Sequence, residues 1–365
     1  MKYYIIAGEP SGDLHGSRIM ESIKKLDKKA KFRFWGGEKM KRKGGEMVKH
    51  VNQLSFMGFW EVLMNIKTIL KNIRLCKRDI NAYHPDKIIY IDYPGFNLVI
   101  ARWAKIKGYQ NHFYISPQIW AWKESRIKKI KRDIDYLYVI LPFEKEYYKQ
   151  KHAVDVYYVG HPLVEIIEKE IKKTDLGQLS SNRPIIALLP GSRKQEIKKM
   201  VPVFRSVIRH FSDYDFIIAA VSSVNKDCYN EILKDGKIKV VYDKSYSLLK
   251  KSTAAIVTSG TATLETALFN VPQIVCYKSS FFSYLVGKLF IKLKFISLVN
   301  IIMDKEVVKE LIQNDCSEMK IVNELSQLLK DENISNMKKE YKILRDKLGK
   351  EKTSLKVAKY VIKAL

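Results

Sequence analysis

Short apolar runs, rich in β-branched and aromatic residues, alternate with helix-length segments along the chain. A first series lies at 3–7, 32–35, 87–92, 112–116, 136–141 and 156–160, and a second series lies at 184–190, 215–221, 239–242, 254–259 and 273–277. Strand-length runs separated by helix-length segments are typical of βα units that form a parallel sheet. Because the series starts again, the pattern predicts an α/β protein with two doubly wound, Rossmann-like domains facing across a cleft. Ligands of such domains bind at the carboxyl ends of the strands.

A polar segment at 172–184, KKTDLGQLSSNRP, separates the two series of predicted strands. Its Gly, Ser and Pro residues are typical of a linker. We therefore expect an N-terminal domain at 1–170, a C-terminal domain at 171–340 and a helical tail at 341–365.

Two segments combine apolar and basic residues as membrane-surface helices do. In 60–80, apolar residues recur at spacings of four and three positions, and basic residues fall largely on the remaining helix surface. The segment 281–296 is densely apolar, and its lysines can snorkel. The loop that precedes the first segment holds four apolar residues suited to contact with lipid: Phe56, Met57, Phe59 and Trp60. The alternative for both segments is a surface helix packed on its own sheet.

Charge is the unusual feature of the composition. The chain has 365 residues with 66 Lys and Arg against 39 Asp and Glu, a formal net charge of +27. Such a surplus attracts polyanions such as nucleic acid, anionic membrane or phosphorylated substrates, although a lysine-rich proteome would also produce it. The four cysteines are widely separated and form no C-x-x-C pair, which favours reduced thiols in a cytosolic protein over a zinc site or disulfides. We expect no signal peptide and no membrane span.

The second half contains a strand, turn and helix in PIIALLPGSRKQEI. Gly191 and Ser192 lie at the turn, and Arg193 enters the helix. Free backbone N–H groups at a helix start, together with a guanidinium, suit a phosphate or diphosphate. Taken alone, the same residues fit an ordinary βα turn with a solvated arginine.

A second helix start of this kind follows in AAIVTSGTATLETALF. Ser259, Gly260, Thr261 and Thr263 are small enough for a phosphate to approach the backbone. Glu265 can accept hydrogen bonds from sugar hydroxyls. Plain helix capping by Ser259 or Thr261 is the alternative. Two such helix starts in one domain favour a nucleotide diphosphate.

The first half offers different chemistry. Asp92 ends the strand IIYID and precedes Pro-Gly, where a carboxylate can act as a general base or can stabilise the turn. Asn97 lies a few residues further along. After another strand, Gln118 and Trp120 precede a basic stretch at 123–132. These residues suit a sugar platform, nucleic-acid stacking or membrane anchoring, and core packing is the alternative for the tryptophan.

The N-terminal strand opens directly into GEPSGDLHG, which is neither a dinucleotide fingerprint nor a phosphate loop. The carboxylates of Glu9 and Asp13 would repel a diphosphate. With the nucleotide assigned to the other domain, we expect this turn to meet a different ligand. For Asp13 a role as helix cap is the alternative.

Several motifs occur in the same order as in a known family. They are AGEPSGDLHG, MGFWEVL, DYPGFN, SPQIWAW, VGHPLVE, LLPGSRKQEI, TSGTATLE and ISLVN. From about residue 3 to residue 330 the chain resembles bacterial lipid-A-disaccharide synthase, a glycosyltransferase of the GT-B fold. The resemblance implies C-terminal helices that pack back on the N-terminal domain.

The resemblance also implies roles for individual residues. Asp92 matches the family's catalytic aspartate, and Arg193 matches its essential arginine. With UDP in the C-terminal domain, the resemblance implies that the N-terminal turn faces the acceptor. Ser11 and Gly12 are then available to the acceptor's phosphate, and Glu9, Asp13 and His15 are candidates for orienting hydroxyls. Residues that match the UDP-binding turns are Ser192, Ser259, Gly260, Thr261, Thr263 and Glu265. Asn300 matches the asparagine of a Pro-Asn pair in which Val299 replaces the proline, and Gly95 stands where an acidic residue often follows the family's proline.

The implied reaction is the inverting transfer of 2,3-diacylglucosamine from its UDP derivative to 2,3-diacylglucosamine 1-phosphate (lipid X), without a cofactor or a required metal. Its products are a β(1→6) disaccharide 1-phosphate and UDP. The family lies peripherally on the cytoplasmic face of the inner membrane of Gram-negative bacteria, at an anionic membrane surface, and its members can form homodimers that exchange C-terminal parts. The alternatives are another GT-B transferase or epimerase that uses UDP-GlcNAc, and a non-enzymatic binder of anionic membrane or nucleic acid. We expect no nucleic-acid partner, since no nucleic-acid motif is present.

Overall fold

The computed structural model describes residues 1–54, 65–173, 181–233, 238–278 and 294–364. The chain forms two compact units: unit 1 is Met1–Pro162 with Lys350–Leu365, and unit 2 is Leu163–Gly349. Each unit is built on one parallel sheet, which confirms the prediction of two doubly wound α/β domains. Residues 174–180 of the predicted linker lie outside the described residues.

Unit 1 contains a sheet of seven described strands in the order β3-β2-β1-β4-β5-β6-β7. The strands are β1 (Lys2–Ala7), β2 (Lys31–Gly36), β3 (Glu46–His50), β4 (Lys87–Ile91), β5 (Gln110–Tyr114), β6 (Tyr136–Val139) and β7 (Tyr157–Tyr158). The helices between them are α1 (Pro10–Leu26), α2 (Glu38–Lys41), α3 (Ile66–Tyr83), α4 (Pro94–Ile106), α5 (Ile127–Asp133) and α6 (Glu144–His152). Because helices cover both faces of the sheet, β1 is buried from Tyr3 to Ala7.

Unit 2 contains a sheet of six described strands in the order β10-β9-β8-β11-β12-β13. The strands are β8 (Ile185–Leu189), β9 (Asp215–Ala220), β10 (Lys239–Tyr242), β11 (Ser252–Thr258), β12 (Gln273–Tyr277) and β13 (Lys309–Ile312). Its helices are α7 (Pro162–Ile171), α8 (Lys194–Ile208), α9 (Asn230–Leu233), α10 (Ser245–Lys251), α11 (Thr261–Leu268), α12 (Leu298–Met303), α13 (Glu318–Leu328) and α14 (Asp331–Lys347). The first residue of α7, Pro162, is also the last residue of the first segment of unit 1.

The apolar pattern does not reveal the two strands β3 and β13. Each lies at an edge of its sheet and pairs with only one described neighbour, β2 or β12 respectively. An edge strand needs less apolar surface than a central one, and the sequences EMVKH and KELI contain charged residues accordingly. The eleven strands that the pattern does predict all form in the described residues.

The last helix, α15 (Thr353–Lys363), belongs to unit 1 although the preceding α14 belongs to unit 2. Its residues Val357, Ala358 and Val361 are buried in the core cluster that includes α1. The Ser22 hydroxyl of α1 donates a hydrogen bond to Ser354 Oγ at 3.0 Å. The expectation that C-terminal helices pack back on the N-terminal domain is therefore confirmed for α15, whereas α14 belongs to unit 2.

The amphipathic segment predicted at 60–80 forms α3 from Ile66 onward. Cys76 and Ile80 face the core, whereas Ile66 and Leu70 are about half exposed. Phe56, Met57, Phe59 and Trp60, together with most of 281–296, lie outside the described residues. Among the residues that the structure does describe, no helix is both long and apolar enough to cross a membrane.

Candidate functional sites at the two sheet edges

The strand order of unit 1 places a crevice between β1 and β4. These strands are neighbours. From β1 the chain continues to β2, toward one edge of the sheet, and from β4 it continues to β5, toward the other edge. This position is therefore the topological switch point of a doubly wound fold. Glu9 closely follows β1, and Asp92 directly follows β4. The fold thus brings together two of the residues that the sequence singled out from distant segments.

The backbone around Asp92 is strained. Asp92, Tyr93 and Ile115 have φ values of 48°, 51° and 63°, a region that L-residues rarely occupy and that is least favourable for a β-branched residue such as Ile115. Two hydrogen bonds hold this conformation. The Asp92 amide donates to the Tyr114 carbonyl at 2.9 Å, and Asn97 Nδ2 donates to the Asp92 carbonyl at 2.7 Å. Strain of this kind is characteristic of functional sites, and the fully buried Asn97 acts here by positioning Asp92.

The surroundings of the Asp92 carboxyl favour its protonated form. Burial, and then the nearby charge of Glu9, raise its pKa to about 6, against an opposing effect of the Arg126 guanidinium. A carboxyl with a pKa near neutrality is well matched to proton abstraction at physiological pH. Arg126 was not identified from the sequence, where it is one of many cations in a basic stretch, and only the fold turns it toward Asp92.

Asp13 is occupied by the protein itself. Its carboxylate accepts hydrogen bonds from the amides of Gly37, Lys39 and Met40 at 2.7, 3.0 and 3.0 Å. The side chain is buried and caps the start of α2. The capping alternative is therefore what the structure shows, although the helix that Asp13 caps is a neighbouring one.

The rest of the N-terminal turn has mixed environments. Ser11 is exposed, and Gly12 packs so closely on β1 that an added Cβ would lie 3.1 Å from Ala7 Cβ. The His15 ring meets Tyr114 edge-on with centroids 6.2 Å apart. Only part of the turn is therefore open to a ligand.

The loop after β5 contains Gln118, which is exposed, and Trp120, whose ring packs perpendicular to Phe143 at 5.0 Å. This loop is tied to the next one by a buried carboxyl. Glu144 accepts hydrogen bonds from the Ser116 hydroxyl at 3.0 Å and from the Leu141 amide at 2.9 Å.

Burial raises the pKa of Glu144 to about 7. Glu144 was not identified from the sequence, because nothing in its local pattern distinguishes it from a surface helix residue.

In unit 2 the switch point lies between β8 and β11, where a cleft of about 350 Å³ opens. Seven of the nine predicted donor-side residues line it: Gly191, Ser192, Arg193, Ser259, Gly260, Thr261 and Glu265. Residues separated by more than sixty positions therefore form one site, as the two helix starts suggested.

Backbone amides at the start of α8 bind a carboxylate of the same helix. Glu196 Oε2 accepts from the amides of Ser192 and Arg193 at 3.2 and 3.3 Å, and Arg193 Nη1 donates to Glu196 Oε1 at 2.9 Å. Gly191 has φ 99°, and a Cβ there would lie 2.5 Å from Glu196 Oε2, so the turn requires glycine. The guanidinium itself is three-quarters exposed. Glu196, which the sequence analysis did not select, shows that these donors converge on one anionic group.

The second helix start, at α11, is also braced by hydrogen bonds. Ser259 Oγ donates to the Ile296 carbonyl at 3.0 Å, and the Tyr246 hydroxyl donates to Glu265 Oε1 at 2.6 Å. Burial raises the pKa of Glu265. Tyr246 was not selected from the sequence, since it lies on α10, far from the TSGTATLE motif.

Thr263 and Asn300 are fully buried and do not line this cleft. Thr263 Oγ1 donates to the Gly260 carbonyl at 2.8 Å. Asn300 Nδ2 donates to the Val308 carbonyl at 2.8 Å, and its Oδ1 accepts from the Val307 and Val308 amides at 2.8 and 2.9 Å. Their assignment to the donor remains a prediction, and the contacts show that both stabilise local backbone.

In the part of the chain that the structure describes, no group of three His, Cys, Asp or Glu side chains is arranged to hold a metal ion.

The fold is similar to that of solved enzymes with two doubly wound domains. UDP-GlcNAc 2-epimerase from Neisseria meningitidis, bound to UDP-GlcNAc, aligns with a TM-score of 0.63 at 12% identity and covers 100% of this chain and 99% of its own. The glycotransferase of kitacinnamycin aligns with a TM-score of 0.64 at 10% identity, with the same coverage. Similarity at this level of identity shows the fold alone, and the predicted GT-B fold is confirmed.

Sequence comparisons are more specific. The family model "Lipid-A-disaccharide synthetase" matches residues 3–364. Lipid-A-disaccharide synthase of Coxiella burnetii (strain Dugway 5J108-111) is 37% identical over 336 residues, 90% of this chain and 89% of the relative. The synthase of Syntrophus aciditrophicus (strain SB) is 35% identical over 356 residues, 94% and 93% of the two chains. The prediction of a glycosyltransferase of lipid A biosynthesis is thereby confirmed, and the chain belongs to the lipid-A-disaccharide synthase family.

Proposed function

We propose that this enzyme transfers 2,3-diacylglucosamine from UDP-2,3-diacylglucosamine to the 6-hydroxyl of 2,3-diacylglucosamine 1-phosphate. The products are the β(1→6) disaccharide 1-phosphate and UDP. The observation that carries this proposal is the pairing of two sites in one chain of this family. One site is a cleft built for an anion in unit 2, and the other is a carboxyl of raised pKa at the switch point of unit 1.

The donor's diphosphate suits the cleft of unit 2. The amides that now bind the Glu196 carboxylate can bind a phosphate oxygen instead, and the released Arg193 guanidinium can pair with the diphosphate. Glu265 suits a ribose hydroxyl. It lines the cleft, and its carboxyl already acts as the acceptor of a hydrogen bond from another hydroxyl, that of Tyr246. Charge that grows on the leaving UDP is then stabilised by a guanidinium and two helix starts.

Asp92 suits the acceptor. Its carboxylate takes the proton of the attacking 6-hydroxyl, and the alkoxide oxygen forms the new bond to the anomeric carbon on the face opposite UDP. Inversion at that carbon follows. Glu9 beside it keeps the carboxyl basic, and the strained turn holds it in place.

The diacyl substrates require a lipid surface, and we propose a peripheral location on an anionic membrane at the cytoplasmic face of the inner membrane. The net charge of +27 and the exposed Ile66 and Leu70 of α3 support it. We also propose a homodimer that exchanges C-terminal parts. The passage of the chain from α14 in unit 2 to α15 in unit 1 supplies a segment where such an exchange would occur.

The test is the reaction itself. We expect UDP release only when UDP-2,3-diacylglucosamine and lipid X are both present, with a disaccharide 1-phosphate identified by mass spectrometry.

A variant tests the donor site. We expect Arg193→Ala to lower kcat/KM for the donor by about 10² to 10³, the size of losing one group that stabilises developing charge. Lys194→Ala, which changes the exposed neighbouring residue, should leave kcat/KM unaffected. UDP-GlcNAc turnover without lipid X would instead identify the epimerase or the other transferase. An unchanged Arg193→Ala enzyme would refute the donor assignment.

A further inference from the structure

A basic groove lies next to Asp92 and is not used by the mechanism above. It has a volume of about 280 Å³ and runs between α4 and the turn that leads into α5. Pro94 and Gly95 line one end, and Lys123, Arg126 and Lys129 line the other. Because consecutive Cα atoms lie 3.8 Å apart, the Cα of Pro94 is within about 7.6 Å of the Cα of Asp92. The groove therefore begins about one sugar ring away from the proposed base.

Two of the groove's cations are held in position by an aromatic ring. Lys123 Nζ lies 4.4 Å and Arg126 Cζ 5.4 Å from the centroid of Trp122, whose side chain is 48% exposed. Such contacts restrict the charged groups before any ligand arrives.

Within the described residues, neither Lys123 nor Lys129 forms a salt bridge with a carboxylate. The nearby Glu124 pairs with Lys151 at 2.8 Å and with His152 at 3.3 Å. The cations of the groove are therefore available to an external anion.

The groove adjoins a second cavity. Leu98, Val99 and Lys129 also line this cavity of about 360 Å³, which extends along α4 to Trp103 and Ile106. The cations Lys77, Arg102 and Arg132 border it as well. Val99 and Ile106 are exposed, at 39% and 67%. A ligand that fits both cavities carries an anionic group close to Asp92 and an acyl chain beyond it.

We propose that the groove formed by Lys123, Ser125, Arg126 and Lys129, rather than Ser11 and Gly12 of the N-terminal turn, binds the phosphate monoester of the acceptor glycolipid. The proposal rests on the proposed function, which places the acceptor's 6-hydroxyl at Asp92. The 1-phosphate then lies on the other side of the ring oxygen, because C1 and C5 both flank that oxygen. Arg126 then serves two groups: its charge acts on Asp92, and its guanidinium is offered to the phosphate. The Ser125 hydroxyl, which is exposed in the groove, can donate to the same phosphate.

The test compares lipid X with its dephosphorylated counterpart, 2,3-diacylglucosamine, as acceptors. For Lys129→Ala and Lys123→Ala we expect KM for lipid X to rise about tenfold, the size of losing one charge-assisted hydrogen bond. KM for the dephosphorylated acceptor and KM for the donor should not change. Lys128→Ala, an exposed lysine of the same helix that does not line the groove, is the matched control. An equal effect on both acceptors, or none on either, would overturn the proposal.

A binding measurement separates this proposal from the proposed function. Lipid X should quench the tryptophan fluorescence of the protein, and the quenching should be reduced in Trp122→Phe, in which Trp103 still borders the second cavity. In Lys129→Ala the same quenching should require a higher concentration of lipid X, even if no UDP is released. Quenching by lipid X that Lys129→Ala leaves intact would overturn the phosphate site. Sedimentation with phosphatidylglycerol vesicles tests a bilayer phosphate as the occupant. If the Lys123 and Lys129 variants bind vesicles as the parent does, the acceptor is supported as the occupant of the groove. If they lose vesicle binding while KM for lipid X stays unchanged, the proposal of an acceptor phosphate site is overturned.

Discussion

Replacement of Asp92 by Asn should make the protein less active and more stable at the same time. Asp92 is ionised at neutral pH, although its surroundings favour the neutral form. The rise of its pKa from 3.8 to about 6 corresponds to about 3 kcal/mol between the two protonation states. Because the carboxyl retains some contact with solvent, we expect the free energy of unfolding of Asp92→Asn to exceed that of the parent by about 1 to 3 kcal/mol at neutral pH.

The pH dependence follows from the direction of this change. The pKa of Asp92 is higher in the folded state than in the unfolded state, so folding favours the protonated carboxyl. The contribution of this group to stability is therefore fully present below about pH 4 and is lost as the pH rises through about 6. The amide introduced by Asp92→Asn cannot ionise, and the variant therefore has no such loss. The stability difference between Asp92→Asn and the parent should be near zero at about pH 4 and maximal above about pH 7.

Differential scanning calorimetry across this pH range measures the effect on the transition of unit 1. Asp155→Asn, which removes an exposed carboxylate from the same unit, controls for net charge. In the same preparations kcat should fall by about 10² to 10⁴, the contribution of a general base, with UDP affinity retained. Near-normal turnover would refute the role as base, and a stability difference that does not grow with pH would refute the electrostatic explanation.

Three further predictions concern single side chains. Glu9→Gln should lower the pKa of Asp92 and move the acid limb of the kcat/KM profile to lower pH, and a midpoint that stays near 6 would contradict the electrostatic effect of Glu9 on Asp92. Asp13→Ala leaves three backbone amides at α2 without an acceptor and should cost about 2 to 4 kcal/mol in chemical unfolding, whereas an unchanged midpoint would contradict the capping role. Asn300→Ala should cost a similar amount, about 2 to 4 kcal/mol, with an unchanged KM for the donor, and a raised KM without loss of stability would instead favour direct contact with UDP.

The candidate sites could be predicted only in part. Gly191 and Arg193 were accessible from sequence because a turn that opens a helix is a local pattern, and its position at the end of β8 follows from the strand order. Arg126 and Glu196 were not accessible in this way. Each is an ordinary charged residue in a helical segment, and its role comes from the group that it faces, Asp92 or the amides of the α8 turn.

The sequence by itself determined the alternation of strands and helices, the restart of the series and the turns at strand ends, since backbone preferences and burial periodicity act over a few residues. Only the tertiary structure decided that Glu9 and Asp92 share a crevice, that Asp13 caps a neighbouring helix, and that β3 and β13 extend the sheets. These features depend on contacts between distant segments, and the desolvation that raises the pKa of Asp92 exists only after those segments have packed around it.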